Sequence, residues 1–183
     1  ETMADFTSSQ VRESFTTAIE QVREKLGRTY PLFIDGKDIE TEDLLESVNP
    51  SAPTEVIGRV CQAATAEVDL AITAAQKAFG SWKECAPSER AGYLFKAADI
   101  ARKRIYELSA WQVMEVGKQW GQAQADVAEA IDFMEYYTRE IIRLCSDRRM
   151  GRAPGEINTL MYQPKGIAAV ISTWNFTLDI SCG

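Results

Sequence analysis

The sequence predicts a mixed α/β chain that is mostly helical, with short β segments on both sides of the helices and one buried-type strand at residues 167–171. Three observations support this fold class. Apolar residues recur at three- and four-residue steps over long stretches, as in amphipathic helices. The dipeptide Asp35-Gly36 follows the short apolar run Leu32-Phe33-Ile34, as in tight hairpins. The five apolar residues 167–171 are uninterrupted, which is typical of a strand buried on both faces of a parallel sheet.

Composition excludes several classes of function. The 183 residues are 45% apolar and 26% charged, as in globular proteins. The net charge of −7, without a basic stripe, argues against nucleic acid and anionic membranes as partners. No stretch approaches the roughly 18 apolar residues of a membrane span, and the start lacks the layout of a signal peptide. Four isolated cysteines and no histidine predict no metal site and a reducing compartment, the cytoplasm.

The first element is an amphipathic helix within residues 6–26, and we expect residues 1–28 to form an N-terminal helical unit. Ser8-Ser9 offers a cap and Gly27 a stop. A hairpin turning at Asp35-Gly36 follows. Residues 55–60 are a plausible partner strand, which predicts a small antiparallel element near the surface.

Three core-forming helices are predicted next, so that residues 29–150 form a helical region carrying the small hairpin. The first has an apolar face marked by Val68, Ile72, Ala75 and Phe79 and ends at Gly80. The second begins at Pro87, and its pattern extends as far as Gly117. The third covers residues 122–144, and residues 158–162 alternate loosely as a strand.

The triplet Trp174-Asn175-Phe176 follows the predicted buried strand directly. Side chains just past the carboxyl end of such a strand open into the crevice where α/β folds bind ligands. Asn175 is therefore placed where chemistry is plausible, and the alternative is an ordinary polar turn after a core strand. Because a lone strand cannot form a parallel sheet, we expect the sequence to be part of a longer chain.

Several motifs occur in a fixed order along the chain: Phe33-Ile34-Asp35-Gly36-Lys37, Asn49-Pro50-Ser51, Phe79-Gly80-Ser81-Trp82, Glu115-Val116-Gly117-Lys118, and Lys165-Gly166 ahead of the triplet. In order and spacing they resemble the NAD(P)-dependent aldehyde dehydrogenases. Residues 126–133, followed by Tyr136-Tyr137, resemble one branch of that family. This branch oxidises L-glutamate γ-semialdehyde (1-pyrroline-5-carboxylate) to L-glutamate in proline catabolism.

The resemblance implies that the chain is the N-terminal third of such an enzyme. Its helices would pack on a cofactor domain, and residues 151–165 would form an oligomerisation-type β segment. Residues 166–183 would begin a Rossmann-like NAD-binding domain. The expected cofactor is NAD, the expected substrate a small aldehyde, and the expected assembly a homo-oligomer.

The resemblance also implies roles for individual residues. In the family a cysteine thiolate attacks the aldehyde, a hydride passes to NAD(P), and water hydrolyses the thioester. Asn175 matches the asparagine whose side-chain N–H stabilises the oxyanion. The positions that line the nicotinamide and ribose pocket are Ile171, Ser172, Thr173 and Trp174. Phe176 matches an aromatic wall beside the aldehyde, and Glu129 faces the substrate's ammonium, unless it is only a solvated helix carboxylate.

The chain departs from the family pattern at three positions. Thr173 and Thr177 stand where the family usually has proline, so the loop that aims Asn175 loses two fixed φ angles. Asp179 stands where a small apolar residue is expected, and an unpaired buried carboxylate there would be costly.

The nucleophile of the family is expected outside this sequence. It lies in a Gly-Gln-x-Cys segment that these residues lack, and Cys182 has no neighbouring base, so we interpret Cys182 as structural. The 183 residues alone are therefore expected to form no NADH in a stopped-flow assay. Two alternatives remain: another branch of the family, which changes only the meaning of Glu129, or a helical interaction domain without catalytic function.

Overall fold

Helices dominate the computed structural model, which describes residues 1–183. The helices are α1 (Ser9–Arg23), α2 (Thr65–Trp82), α3 (Pro87–Lys103), α4 (Ile105–Val116), α5 (Trp120–Leu144) and α6 (Asp179–Cys182). The strands are β1 (Arg28–Tyr30), β2 (Leu32–Ile34), β3 (Lys37–Ile39), β4 (Leu44–Asn49), β5 (Ala52–Cys61), β6 (Arg148–Arg149) and β7 (Thr159–Leu160). The predicted class, mostly helical with flanking β segments, is confirmed.

The amphipathic helix predicted at the start of the chain is α1, and it buries its apolar face against α4 and β5. This first core cluster consists of Phe15, Ala18, Ile19, Val22, Ile57, Ala110 and Met114. The Phe15 ring lies 5.4 Å from Phe6 and 4.8 Å from Trp120, which fixes the segment before α1 against the start of α5. Helix α1 thereby joins the N-terminal segment to the rest of the helical region.

The predicted hairpin is formed by β2 and β3, which pair antiparallel around Asp35 and Gly36. Both residues have positive φ, 52° for Asp35 and 75° for Gly36, as the two central residues of a type I′ turn require. Residues 55–60 are a strand, as predicted, but they belong to a separate sheet. In that sheet β5 pairs antiparallel with β4 and parallel with β1. The long strand β5 therefore takes its partners from outside the hairpin.

The second predicted helix is divided in two at Arg104, whose φ of −109° and ψ of 18° interrupt the helical backbone. Its first half, α3, packs on α5. Their shared core consists of Ala98, Ala101, Val127, Ile131 and Met134. Small alanines on α3 let the two helices approach closely, and α5 forms the floor of the site described below.

Helix α2 was predicted to form part of the core, and this prediction is wrong. None of its residues is buried, and Val68 is 46% exposed. It also continues past Gly80 to Trp82, because Gly80 does not adopt the left-handed backbone of a helix stop. The spacing of apolar residues identifies the apolar face of a helix, but it does not reveal whether another element covers that face.

The strand predicted at residues 167–171 is not formed. Its side chains are exposed, Ile171 by 92%. A buried-type strand needs neighbouring strands to satisfy its backbone donors and acceptors, and none of the seven strands lies beside this segment. The chain regains contact with the helices at Leu178 and Cys182, which pack on the second core.

No helix is long and apolar enough to cross a bilayer.

Candidate active site

A groove of about 490 Å³ separates the connection between α4 and α5 from the turn that precedes α6, with α5 as its floor. Its lining residues are Val116, Gly117, Lys118, Gln122, Ala125, Asp126, Glu129, Trp174, Asn175, Phe176 and Asp179. Four residues singled out from the sequence thus meet at one place: Glu129, Trp174, Asn175 and Phe176. The roles expected of them stay predictions.

The near wall of the groove depends on Gly117, which ends α4. This residue has a φ of 73°, a left-handed backbone conformation that residues with a Cβ atom rarely adopt. A Cβ atom at this position would also lie 3.0 Å from Cγ of Pro50. Glycine is therefore required for the chain to turn here, and the turn carries Lys118 back towards α5.

Asp126 connects the two walls of the groove. Its side chain is buried, and its two carboxylate oxygens accept three hydrogen bonds. Oδ1 accepts from Nε2 of Gln112 at 2.6 Å and from the backbone N–H of Leu178 at 3.3 Å. Oδ2 accepts from Nζ of Lys118 at 2.5 Å. A buried charge with this many donors is compensated, so it stabilises the arrangement of the elements it joins.

A second carboxyl group, Asp179, is buried beside Asp126. It is 1% exposed, and its Oδ1 accepts the backbone N–H of Ile180 at 2.7 Å. Burial raises the pKa of Asp179 above its usual value, and the negative charges of Asp126 and Glu129 raise it further. The carboxylate that the sequence marked as costly is therefore in an environment that favours its protonated form.

The far wall is formed by the aromatic triplet. Asn175 is exposed and borders the groove, with Trp174 and Phe176 on either side of it in the chain. The Lys118 ammonium lies 5.8 Å from the centre of the Phe176 ring, so a cation faces an aromatic ring across the groove. Ile171, Ser172 and Thr173, by contrast, are exposed and do not line the groove.

The sequence alone did not assign a role to Lys118, Asp126 or Gln112. One signal was present: Asp126 and Glu129 are three residues apart, which places both carboxylates on the same face of a helix. Asp126 pairs with Lys118 across the turn between α4 and α5. It pairs with Leu178 over a separation of 52 residues. Periodicity within one element cannot predict such a pairing.

Cys182 does not have the properties of a nucleophile. It is half-buried and packs against the core shared by α3 and α5. Burial raises the pKa of its thiol, and the charges of Asp126 and Asp179 raise it further, so the thiolate is disfavoured. This environment agrees with the structural role inferred from the sequence.

Another cavity, of about 480 Å³, lies between α4 and the three-stranded sheet. Three of its charged residues are paired with one another, because Glu107 binds Lys25 at 2.7 Å and Arg104 at 2.8 Å. Hydrogen bonds from Arg104 and then Lys25 lower the pKa of Glu107 to about 2. This ion-pair cluster ties the end of α1 to the start of α4, and the groove at Asn175 remains the candidate site.

Comparison with known proteins places the chain in a class. The family model described as the aldehyde dehydrogenase family matches residues 36–183. The chain therefore belongs to the aldehyde dehydrogenase family.

Within the family, similar curated proteins include several 1-pyrroline-5-carboxylate dehydrogenases. The one from Geobacillus kaustophilus is 46% identical over all 183 residues, and 1-pyrroline-5-carboxylate dehydrogenase 2 from Bacillus subtilis is 44% identical over the same residues. The chain spans 36% of the length of each of these relatives.

Solved structures give the same result. The 1-pyrroline-5-carboxylate dehydrogenase from Thermus, described with bound NAD, matches the whole chain with a TM-score of 0.94 and 41% identity, over 37% of its own length. Proline utilization A from Bdellovibrio bacteriovorus matches the whole chain with a TM-score of 0.97 and 36% identity, over 19% of its length. The chain thus has the fold of one part of these enzymes.

Proposed function

We propose that the protein carrying this chain oxidises L-glutamate γ-semialdehyde to L-glutamate, with NAD as the hydride acceptor, in proline catabolism. The observation that carries the proposal is the meeting of Asn175, Glu129 and Phe176 at one groove. These three side chains offer an amide donor, a carboxylate and an aromatic wall. We assign the amide donor to the oxyanion, the carboxylate to the ammonium, and the aromatic wall to the aliphatic chain of this substrate. The names and full-chain coverage of the similar proteins support the same substrate.

In the proposed reaction a cysteine thiolate forms a bond to the aldehyde carbon, and the carbonyl oxygen takes up the negative charge. The Asn175 side chain donates an N–H to that oxygen. A fixed neutral donor aimed at a developing charge is worth about 3–4 kcal/mol of transition-state stabilisation. An amide is suited to this role because it neither loses a proton nor pairs with the thiolate, as a lysine would.

The thiolate must come from outside these residues, because no cysteine lines the groove and the pKa of Cys182 is raised. Loss of hydride to NAD then leaves a thioester, and water releases glutamate and restores the thiolate. The part of the catalytic machinery that we assign to this chain is therefore the oxyanion donor and part of the substrate pocket.

Glu129 is proposed to bind the α-ammonium group of the substrate. It is exposed on the groove side of α5, one turn from Asp126. Since Lys118 pairs with Asp126 at 2.5 Å, that cation is already engaged and the carboxylate of Glu129 is available to a ligand. An acidic group at this place favours a zwitterionic aldehyde over one without an ammonium.

The residues proposed to contact NAD are Ile171, Ser172, Thr173 and Trp174. They are exposed and offer backbone amides, two hydroxyl groups and an indole face, which suit ribose and nicotinamide. No glycine-rich phosphate loop occurs in the 183 residues, so this segment fits one wall of a cofactor site. When bound, NAD supplies the acceptor for the hydride.

The assembly proposed for the protein is a homo-oligomer in the cytoplasm. The β6–β7 segment and the residues after it leave large apolar side chains exposed, among them Ile157, Met161 and Tyr162. The four cysteines are all free, which suits a reducing compartment. Light scattering of the purified protein would test the first part of this proposal.

The experiment that tests the proposed function uses the protein expressed from its complete reading frame. NADH formation is followed with NAD and L-glutamate γ-semialdehyde, and in parallel with propionaldehyde, which lacks both charged groups. We expect kcat/KM to be at least about 100-fold higher for the semialdehyde. Equal values would point to another branch of the family, and no turnover of either aldehyde would contradict the function.

A further inference from the structure

We propose that Asp126 is a positioning residue for Asn175: its carboxylate fixes the turn after the aromatic triplet to α5 and to the connection between α4 and α5. The proposal rests on the proposed function for the identity of the reaction. The contact that carries it, from the Leu178 N–H to Oδ1 of Asp126 at 3.3 Å, does not depend on that function.

The segment that carries Asn175 has few other restraints. Residues 161–176 form no helix or strand, and their side chains are exposed. Thr173 and Thr177 leave both flanking φ angles free. The Thr177 hydroxyl bonds only the carbonyl of Trp174, which is within the same segment. Attachment to the helices begins at Leu178, and the polar part of that attachment is Asp126.

Asp126 is itself held rigidly. It is buried on α5, in the helix pair that forms the second core, and Gln112 on α4 donates to it at 2.6 Å. Lys118 donates to its other oxygen at 2.5 Å and faces the Phe176 ring. A single carboxylate therefore joins α4, the turn at Gly117 and the turn after Asn175. Displacing it would allow the Asn175 amide to move relative to the groove.

The substitution Asp126→Asn tests this role, because asparagine has almost the same shape as aspartate. The aspartate accepts three donors on two oxygens, whereas an asparagine has one oxygen and presents an NH₂ group to the other donors. It must therefore give up Lys118 or Leu178. Asp132→Asn is the matched control, since Asp132 lies on the same helix, is exposed, accepts hydrogen bonds from the amino group of Glu1 outside the groove, and loses the same charge.

The first measurement is hydrogen–deuterium exchange of the backbone amides of residues 175–182 in the complete protein. We expect Asp126→Asn to speed their exchange by about fivefold to tenfold, while Asp132→Asn leaves it unchanged. This readout does not require turnover, so it remains valid if the proposed function fails. Unchanged exchange both in Asp126→Asn and in Asp126→Ala, which removes both acceptor oxygens, would overturn the positioning role.

The second measurement is a double-mutant cycle with Asn175→Ala, which separates positioning from general stability. In the wild-type background we expect Asp126→Asn to lower kcat by about tenfold with little change in the KM for NAD. In the Asn175→Ala background the same change should lower kcat by less than about twofold, because the group it positions is gone. Equal decreases in both backgrounds would contradict action through Asn175.

Discussion

The ammonium of Lys118 lies 2.5 Å from the carboxylate of Asp126, and this partly buried ion pair joins the two walls of the groove that contains Asn175. Lys118 follows the left-handed turn at Gly117, and Asp126 also receives the N–H of Leu178. The two walls come from parts of the chain that are distant in sequence. The groove therefore depends on tertiary pairing, and the following predictions test the parts of that arrangement.

Asp179 is expected to lower stability at neutral pH. Its folded-state pKa is raised above the usual 3.8, so the folded state favours the protonated form. The stability this provides is complete below pH 3.8 and is lost as pH rises through the raised value. Asp179→Asn, which keeps the shape, should increase the free energy of unfolding at pH 7 by about 1–3 kcal/mol. The gain should disappear in acid, as urea unfolding at several pH values would show.

Asp179→Ala provides the comparison, because it removes the carboxyl group and restores a small apolar residue. Both variants should be more stable than the wild type at neutral pH. A destabilised Asp179→Asn variant at pH 7 would mean that the ionised carboxylate is favourably bound.

Glu107, unlike Asp179, should increase the stability of the fold at neutral pH. Its pKa is lowered from 4.5 to about 2 by Arg104 and Lys25, so its contribution is present above pH 4.5 and is lost as pH falls towards 2. Because Arg104 is half-exposed, solvent screening limits the effect, and Glu107→Gln should cost about 1 kcal/mol at pH 7. Glu20→Gln on the exposed face of α1 is the control, and an equal effect of both changes would rule out the ion pairs as the cause.

Gly117→Ala should destabilise the protein and open the groove. The substitution forces a Cβ into a left-handed backbone with φ of 73° and to within 3.0 Å of Pro50. We expect a loss of about 1–3 kcal/mol in the free energy of unfolding. Gly80→Ala in α2, where nothing lies within 4 Å of the new methyl group, should instead be neutral or stabilising by up to about 1 kcal/mol. If the two variants behaved alike, the turn at Gly117 would not be strained.

The helices and the hairpin could be predicted from sequence because their signals are local. The apolar spacing in α1 and the Asp35-Gly36 turn each depend on residues within a few positions of one another. The strand at residues 167–171 and the burial of α2 were predicted wrongly for a common reason. Both depend on a second surface to cover them, and that surface is not encoded in the segment itself.

The candidate site was predictable in part. The position of Asn175 after an apolar run placed it at a groove, although the run is not a strand. The resemblance to the family singled out Glu129 and Phe176, which line the same groove. Asp126 and Lys118 were not assigned a role from the sequence. The role of a buried carboxylate depends on its hydrogen-bond donors, and only the folded chain brings those donors to it.

Glu129→Gln should affect substrates selectively. If the carboxylate binds the α-ammonium of L-glutamate γ-semialdehyde, its loss should raise the KM for that substrate by about tenfold or more. The KM for propionaldehyde, which has no ammonium, should not change. Steady-state kinetics with both aldehydes would check this. An equal rise for both would indicate that Glu129 supports the groove and does not recognise the substrate.

The most direct test of the central claim is the kcat of the Asn175→Ala variant, measured as NADH formation from L-glutamate γ-semialdehyde by the complete protein. Removal of an oxyanion donor should lower kcat by about 10²–10³-fold with little change in KM. Asn175→Asp, which keeps the shape but cannot donate at neutral pH, should lose at least as much. A kcat within about twofold of the wild type in Asn175→Ala would contradict the role assigned to this residue.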